Sequence, residues 1–429
     1  MKRTTIENLN DYIGEKVLIK GWLHRVRKLK AITFLILRDR TGMVQCVVEN
    51  SFMDISSIKL ESVISIEGIL KEGSNTLNPF EIMVQSLEII NEVHEELPIE
   101  INKKQLEVNL DTMLNNRVLS LRQEKKNSIF KIQGLIAQGF REFLINEGFT
   151  EIFTPKIVAE GAEGGTDMFE VKYFENKAYL AQSPQFYKQM MVGAGYERVF
   201  EVGAVYRAEQ HNTNRHLNEY VSMDFEMGFI DNEEDIMVME ERLLKYILEK
   251  LEDQGEKYLK TLEISLPKIN SNIPRLKFSE ALEILKNEFS KTELEGDLDP
   301  EGEKLICKYA KEKLGSEFLF LTHYPRRKRP MYTMPCGEEE THSFDLLFRG
   351  LEITTGGQRI HNYAMLLENI RYKGLSPENY EGYTNTFKYG MPPHGGLAIG
   401  LERLTAQLLG LANVRETSLF PRDRTRLIP

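Results

Sequence analysis

Arg207, Glu209, Arg215 and His216 crowd the short polar stretch RAEQHNTNRH, with His211 inside it and Glu219 just beyond. Guanidinium groups pair their N–H donors with phosphate oxygens and lay their planes on aromatic rings. Two strands joined by such a loop would make a floor for an anionic, planar ligand. A salt-bridged hairpin with a solvated loop accounts for the same spacing. A second concentration lies in HSFDLLFRGLEITTGGQRIHNY, which carries Asp345, Arg349, Glu352, Thr355, Gln358, Arg359 and His361. Glu352 and Thr355 are oxygen donors of the kind Mg²⁺ takes beside substrate phosphates, and Gly356-Gly357 would let backbone approach a ligand closely. Gly395, Gly396 and Gly400 run into the helix LERLTAQLLGL with Arg403 in its first turn. Helix amide ends already favour anions, so Arg403 implies a bound anion or an ion pair with Glu402 or Asp423. Gln185 and Lys188 sit in the first turn of a helix opened by Ser183 as N-cap and Pro184. The loop Glu163-Gly164-Gly165-Thr166 offers one carboxylate, in a composition common both over ligands and on plain surfaces.

These groups need rigid elements beneath them. Val221, Met223, Phe225 and Met227 recur at every second position, as a strand with one buried face does. With Val205 and Tyr206 on the near side, the loop becomes the tip of a hairpin. Ile129, Ile132, Leu135, Ile136, Phe140 and Phe143 have helical spacing that ends at Gly148. TEIFTPKI reads as a strand whose Pro155 restricts it to a sheet edge or an interface. Residues 232–260 form a charged helix and 276–315 at least one more, a scaffold or insert without evident chemistry. EFLFLTHYP returns to strand.

The amino-terminal part is different. KVLIKGWLHRVRKLKAITFLILRDRTGMVQCVVEN, SVISIEGIL and FEIMVQSLEII supply about five short strands, with a turn at Arg40-Thr41-Gly42. That pattern suits a small OB-type barrel, a platform for single-stranded nucleic acid. Phe34 is then a stacking ring or a core residue, and Gln45 could reach a base edge. The stretch EELPIEINKKQ has no period and reads as a linker. Residues 1–40 carry ten Lys or Arg against four Asp or Glu, in a chain of net charge −10. A polyanion bound at one place explains this, as does a solvated face.

At 429 residues, with 41% hydrophobic and 28% charged residues, two or three soluble domains are expected. There is no 18-residue apolar run and no apolar leader after MKRTTIENLNDY. Cys46, Cys307 and Cys336 are scattered without a CxxC pair, which argues against a zinc knuckle or disulfide framework and for a reducing, cytoplasmic setting.

Three segments in order resemble one known set. GFTEIFTPKI (near 148–157), VYRAEQHNTNRHLNEY (within 205–227) and GGLAIGLERL (within 395–405) resemble motifs 1, 2 and 3 of the class II aminoacyl-tRNA synthetases. GWLHRVR and FLILRDRTGMVQ resemble the anticodon-binding domain of the subgroup charging Asp, Asn and Lys. QSPQFYKQM, RAEQHNTNRHLNEY, GGQRIH and SLFPRDRTRLIP resemble its aspartate-charging members, in the shorter archaeal and eukaryotic form without the bacterial insert. The resemblance implies an α+β fold. An OB-fold barrel would span 1–95, a linker 96–110, and a catalytic domain with an antiparallel sheet flanked by helices 111–429.

It also implies roles. Glu163 would contact the amino group of L-aspartate, and Gln185, Phe186, Tyr187, Lys188, Thr355 and Arg359 would line its pocket. Arg207 would hold the α-phosphate of ATP. Ala208 and Glu209 would lie toward the adenine, with Arg215, His216 and Leu217 on the ATP tail and base. Glu352 would bind Mg²⁺ and ATP, with Asp345 and Thr355 as further metal ligands. Gly400, Leu401, Glu402 and Arg403 would close over the nucleotide. Arg207, Glu352 and Arg403 would form the catalytic set. Asp224 is a further pocket candidate. Thr355 stands where the family usually has Ser, and Asn362 where it has Asp. The tRNA anticodon would meet His24, Arg25, Phe34, Gln45 and Pro79. His24 and Pro79 point to the relaxed type, which charges tRNA-Asn as well as tRNA-Asp and feeds an amidotransferase. A homodimer with no membrane association is implied. A strictly tRNA-Asp enzyme, an asparagine-charging one, a paralogue without catalysis and a tRNA-independent amide-forming enzyme are the alternatives.

Overall fold

The computed structural model describes all residues except 52–54, 56, 74–78, 104, 162–167, 211–212, 271, 293–296 and 429. Two compact units result, Met1–Asn109 and Leu110–Pro429.

In the first unit, β1 (Lys16–Lys28), β2 (Ile32–Arg38), β3 (Met43–Glu49), β4 (Val63–Glu72) and β5 (Phe80–Asn91) close into a barrel of order β1-β2-β3-β5-β4. Alternation decides which side chains fill it. Leu35 and Leu37 are buried, with Leu23, Val44, Ile64 and Ile66, whereas Phe34 and Ile36 are half-buried outside that core. Phe34 is therefore not barrel filling.

The second unit is built on a mixed sheet. Helix α1 (Glu124–Asn146) starts where the Gln123 side chain accepts from Lys126 N, at 3.0 Å, and ends before Gly148, whose φ is +83°. The expected strand TEIFTPKI keeps only β6 (Thr150–Glu151) in this sheet, at its edge. Ile157–Val158 joins a separate three-stranded sheet, and the residues around Pro155 belong to neither. Helix α2 (Gln185–Met191) begins after Pro184, so Pro184 rather than Ser183 is the N-cap. Strands β7 (Arg198–Tyr206) and β8 (Glu219–Gly228) form the expected hairpin, from Tyr206↔Glu219 to Arg198↔Met227. Asn232 and Asp235 build a capping box for α3 (Glu233–Gln254). Then come β9 (Arg275–Lys277), α4 (Phe278–Phe289), α5 (Pro300–Lys313), β10 (Phe318–Thr322), β11 (Ser343–Phe348), β12 (Leu351–Arg359), β13 (His394–Gly400) and α6 (Leu401–Leu408).

The sheet order is β9-β10-β11-β12-β13-β8-β7-β6, antiparallel except for the two edge pairs. Helices α1 and α3 cover one face. Ile132, Phe140, Leu243 and Ile247 pack there with Phe200, Phe225 and Leu397, each worth about 1.5–3 kcal/mol of burial. The middle of the sheet is glycine-rich for packing reasons. A Cβ on Gly396 would lie 2.1 Å from Phe225 O, and one on Gly356 2.4 Å from the Phe344 ring. Gly356 was expected to admit a ligand; its tightest constraint is that ring.

Candidate active site

The opposite face of β8 is polar yet buried. Ser222, Asp224 and Glu226 alternate with Met223, Phe225 and Met227, and all six are below 9% exposed. Lys188 reaches them from α2. Its Nζ lies 2.8 Å from Asp224 Oδ1 and 3.6 Å from Glu226, and donates to Leu397 O at 3.1 Å. Arg359 Nε donates to Glu226 Oε1 at 3.0 Å, and its Nη2 to Gly396 O at 2.9 Å. Burial alone would raise the Glu226 carboxyl, but the Arg359 and Lys188 charges outweigh it and hold it below 4.5. Lys188, expected to line the aspartate pocket, is not on the cavity wall, whereas Arg359 is. Both are paired within the protein, and Lys188 is fully buried.

Above this floor opens a cavity of about 280 Å³. Its wall includes Gln182, Gln185, Thr355 and Arg359 as well as Arg207, Arg215, His216 and Tyr220, with Glu352 and Arg403. The Arg207 side chain is 39% exposed, 5.7 Å from the centre of the Tyr220 ring and 3.9 Å from Glu209. Burial pushes the Tyr220 hydroxyl above its ordinary range, so it stays a neutral wall for the guanidinium. Arg403 Nη1 donates to Glu352 O at 3.2 Å and lies 3.5 Å from its carboxylate. Neither expected ion-pair partner serves Arg403. Glu402 accepts from Val221 N and is pushed up to about 7 by burial, and Asp423 pairs with Arg415 at 3.3 Å. The Thr355 hydroxyl donates to Glu352 Oε1 at 3.0 Å, which joins two oxygen donors at the cavity wall. His216 Nε2 lies 3.7 Å from Glu209.

Arg215 is paired with Glu303 of α5. That helix was read as scaffold, yet it reaches the site. Burial pushes Glu303 up to about 7 against the pull of Arg215. Arg329, Tyr332, Thr333 and Ser343 also wall the cavity and were not foreseen. The one sequence signal was the basic run RRKR before Pro330.

Several expected residues lie elsewhere. Asp345 is paired with Arg329 at 2.8 Å and pushed up by burial, and it does not wall the cavity. Phe186 stacks on Tyr383, ring centres 4.4 Å apart, inside an apolar cluster, and Tyr187 is half-buried off the cavity wall. Ala208 faces a second hollow of about 510 Å³ with Tyr206, Asn218 and the tail from Arg422 to Leu427. Leu401 is core, whereas Leu217, Gly400 and Glu402 border the main cavity. Glu163 and His211 fall outside the described residues.

In the barrel unit, Gln45 Nε2 donates to Glu81 Oε2 at 3.0 Å. His24 is only 8% exposed. Its Nδ1 lies 3.1 Å from Arg38 Nη1, Glu61 grips Arg38 at 2.7 and 3.2 Å, and the Asn102 amide donates to His24 O. His24 thus belongs to a buried polar network rather than to an open reading surface. Arg25 is exposed and donates to Asn102 O at 2.8 Å, and Pro79 is exposed at the entry to β5. Arg27, Lys28 and Lys30 are also exposed, so the basic stretch is surface.

The geometry can be set beside known proteins. A family model described as tRNA synthetases class II (D, K and N) matches residues 109–424, and one for the OB-fold nucleic acid binding domain matches 17–90. The aspartate–tRNA(Asp/Asn) ligase of Thermus thermophilus is 48% identical over 427 residues, the whole of both chains. The aspartate–tRNA(Asp) ligase of Pyrococcus abyssi is 46% identical, covering 99% of this chain and 98% of its own. Among solved structures, the asparaginyl-tRNA synthetase of Pyrococcus horikoshii with asparaginyl-adenylate superposes over both full chains with a TM-score of 0.92 at 30% identity. The aspartyl tRNA synthetase of Entamoeba histolytica gives 0.88 at 32%, over all of this chain and 93% of that one.

Proposed function

Because the chain belongs to the class II tRNA synthetases of the D, K and N group, we infer that it ligates L-aspartate to tRNA in an ATP-dependent reaction. The observation that carries the choice of aspartate is full-length identity of 44–48% with ligases named for aspartate. The asparaginyl structure that superposes so well is only 30% identical. The floor chemistry agrees. Glu226 orients the Arg359 guanidinium at the cavity edge, where it would meet the substrate side chain; a carboxylate satisfies it and an amide does not. The test is ATP–pyrophosphate exchange. L-aspartate should drive it and L-asparagine should not; exchange driven equally by both overturns the assignment.

The residue roles are proposed as follows. The aspartate α-carboxylate attacks the α-phosphorus of ATP and pyrophosphate leaves. The terminal ribose hydroxyl of tRNA then attacks the anhydride carbonyl and AMP leaves. No side chain acts as nucleophile. Arg207, backed by Tyr220, neutralises the α-phosphate, and Arg403 and Arg215 meet the remaining phosphates. Glu209 and His216 lie toward the base. Glu163 is kept as the contact for the substrate amino group. Adjacent oxygen donors on Glu352 and Thr355 fit Mg²⁺, which supplies charge neutralisation on the phosphates when bound. The methyl group of Thr355 leaves its hydroxyl able to make that contact.

We propose further that the barrel, residues 1–95, binds the anticodon, with 96–110 as hinge, Phe34 as stacking ring and Gln45 and Arg25 beside it. Charging of both tRNA-Asp and tRNA-Asn is supported by relatives of 48% and 47% identity whose names carry both. The product on tRNA-Asn would then need an amidotransferase. Side-by-side charging of the two transcripts decides; no charging of tRNA-Asn above background overturns the broader reading. A homodimer is supported by Phe153, 84% exposed beside the edge strand β6. Light scattering should give the mass of two chains, and Phe153→Asp that of one; a monomeric wild type rejects it. No helix among the described residues is long and apolar enough to cross a membrane, and the cytoplasm is the proposed location.

A further inference from the structure

Away from the cavity wall, one cluster has donor chemistry that no step above uses. The ligand atoms of His323, Cys336 and His342 all lie within 4.8 Å of one another. Sequence spacing hid this, because the three residues come from separate elements. His323 directly follows β10. Cys336 lies in a two-residue ladder, paired Pro335↔Thr341 and Cys336↔Glu340, and His342 stands just before β11. His323 N donates to Ser343 O at 3.0 Å and His342 N to Met334 O at 2.9 Å, so the backbone clamps all three together.

Both imidazoles are held by neighbouring oxygens. His323 Nδ1 lies 3.0 Å from the Thr322 hydroxyl, and its Nε2 3.8 Å from Glu233 Oε1. His342 Nδ1 lies 2.8 Å from Glu233 Oε2, in the first turn of α3. A carboxylate so placed fixes the tautomer of a metal-bound histidine. His323 also adopts φ +58°, a backbone state that a residue with a side chain reaches at a cost. All three side chains are half-buried.

We propose that His323, Cys336 and His342 bind one zinc-class divalent cation, with Glu233 holding the His342 ring and water in the fourth position. Two nitrogens and a sulfur suit Zn²⁺ and exclude Mg²⁺ or Ca²⁺, which take oxygen ligands. With bonds of about 2.0–2.3 Å, tetrahedral donors stand roughly 3.3–3.8 Å apart, a spacing that the cluster's 4.8 Å limit brings within reach of small side-chain shifts. The thiol proton is released to solvent on binding. The ligands bracket the segment that brings Arg329, Tyr332 and Thr333 to the cavity. The cation's role is to pin that segment, and it takes no part in the reaction.

The full chain, stripped with chelator and dialysed, should take up one equivalent of Co²⁺. Near-ultraviolet thiolate-to-cobalt charge transfer and visible bands of a four-coordinate ion should appear, and Zn²⁺ should bleach both. Cys336→Ser should abolish the charge-transfer band, whereas Cys307→Ser should keep it. In the unmutated chain, Zn²⁺ should slow alkylation of Cys336, mapped by mass spectrometry, whatever the folding of the variants. Binding without a charge-transfer band, a band unaffected by Cys336→Ser, or unchanged alkylation overturns the proposal.

Discussion

Glu226 and Glu240 are both fully buried, on opposite faces of one sheet, and they titrate in opposite directions. Glu226 has Arg359 at 3.0 Å and Lys188 at 3.6 Å, and it is held as a carboxylate. Glu240, on α3, has the Thr354 hydroxyl at 2.6 Å, and no hydrogen-bond partner for its Oε2 among the described residues. Burial, with Asp345 adding to it against the Thr354 bond, pushes it up to about 8. The same side chain at the same depth is an ion where cations were provided and an acid where they were not. The ligand face of the sheet is thus built from charges already balanced within the protein. On the helix face Glu240, which has no cation beside it, is held in its neutral form.

The largest effect should come from unbalancing the ligand face. Glu226→Gln removes the carboxylate that faces both Arg359 and Lys188, leaving Lys188 with Asp224. Breaking a buried pair in this way costs about 3–5 kcal/mol, readable by urea unfolding. A loss below about 1 kcal/mol would show that the pairing is ornamental. Arg207 tests the complementary point. It borders the cavity, is partly exposed and is loosely paired, so Arg207→Ala should leave stability nearly unchanged. Aspartate-dependent pyrophosphate exchange should fall by about 10²–10³-fold. Near-normal exchange would remove Arg207 from the α-phosphate.

This division was only half legible in the sequence. Met223, Phe225 and Met227 announced a core face through their period of two, and the hairpin and helix α1 followed from such patterns. Ser222, Asp224 and Glu226 carry the same period, yet only Asp224 stood out, as a pocket candidate by resemblance. Only the long-range contacts with Lys188 and Arg359 reveal that they are buried. Glu303 was passed over for the same reason, because a glutamate on a charged helix looks like any other until Arg215 is brought to it. Arg207, Glu352, Thr355 and Arg403 all reach the cavity wall, and the motifs that point to them are local. Asp345, Phe186 and Leu401 were misplaced because a motif names a neighbourhood, while strand pleat and helix phase decide which side chain faces the ligand. His24 was misplaced similarly: Arg38, Glu61 and Asn102, which enclose it, are distant in sequence.

The barrel offers a milder contrast, because the side chains proposed to meet the anticodon stand largely outside its core. Phe34 stands outside the barrel core beside exposed Arg25, Arg27 and Lys28. A base stacked on a ring is worth about 1–3 kcal/mol, so Phe34→Ala should raise the tRNA KM by about 5- to 150-fold. Pyrophosphate exchange, which needs no tRNA, should be untouched. Equal loss of both would mean that Phe34 supports the fold rather than the tRNA.

The smallest effect at neutral pH, and the sharpest test of the comparison, concerns Glu240. Its folded value, about 8, lies above the ordinary 4.5. The folded state therefore holds the proton more tightly than the unfolded chain. The stability this group supports is fully present below pH 4.5 and is lost as pH rises toward 8. Glutamine mimics the protonated acid and has no such dependence, although its amide must find a partner where Oε2 has none. That unmet amide offsets part of the gain near neutrality. Across the range, Glu240→Gln should gain on the wild type steadily, by about 3 kcal/mol between pH 5 and 8. Glu226→Gln should instead run parallel to the wild type from pH 5 to 8 and recover ground only as pH falls below about 4.5, because the folded state prefers its carboxylate. Thermal unfolding of both variants across this window is the measurement. Parallel profiles for Glu240→Gln and wild type would mean that Glu240 is ionised after all, and that the two faces of the sheet do not differ in how they treat charge.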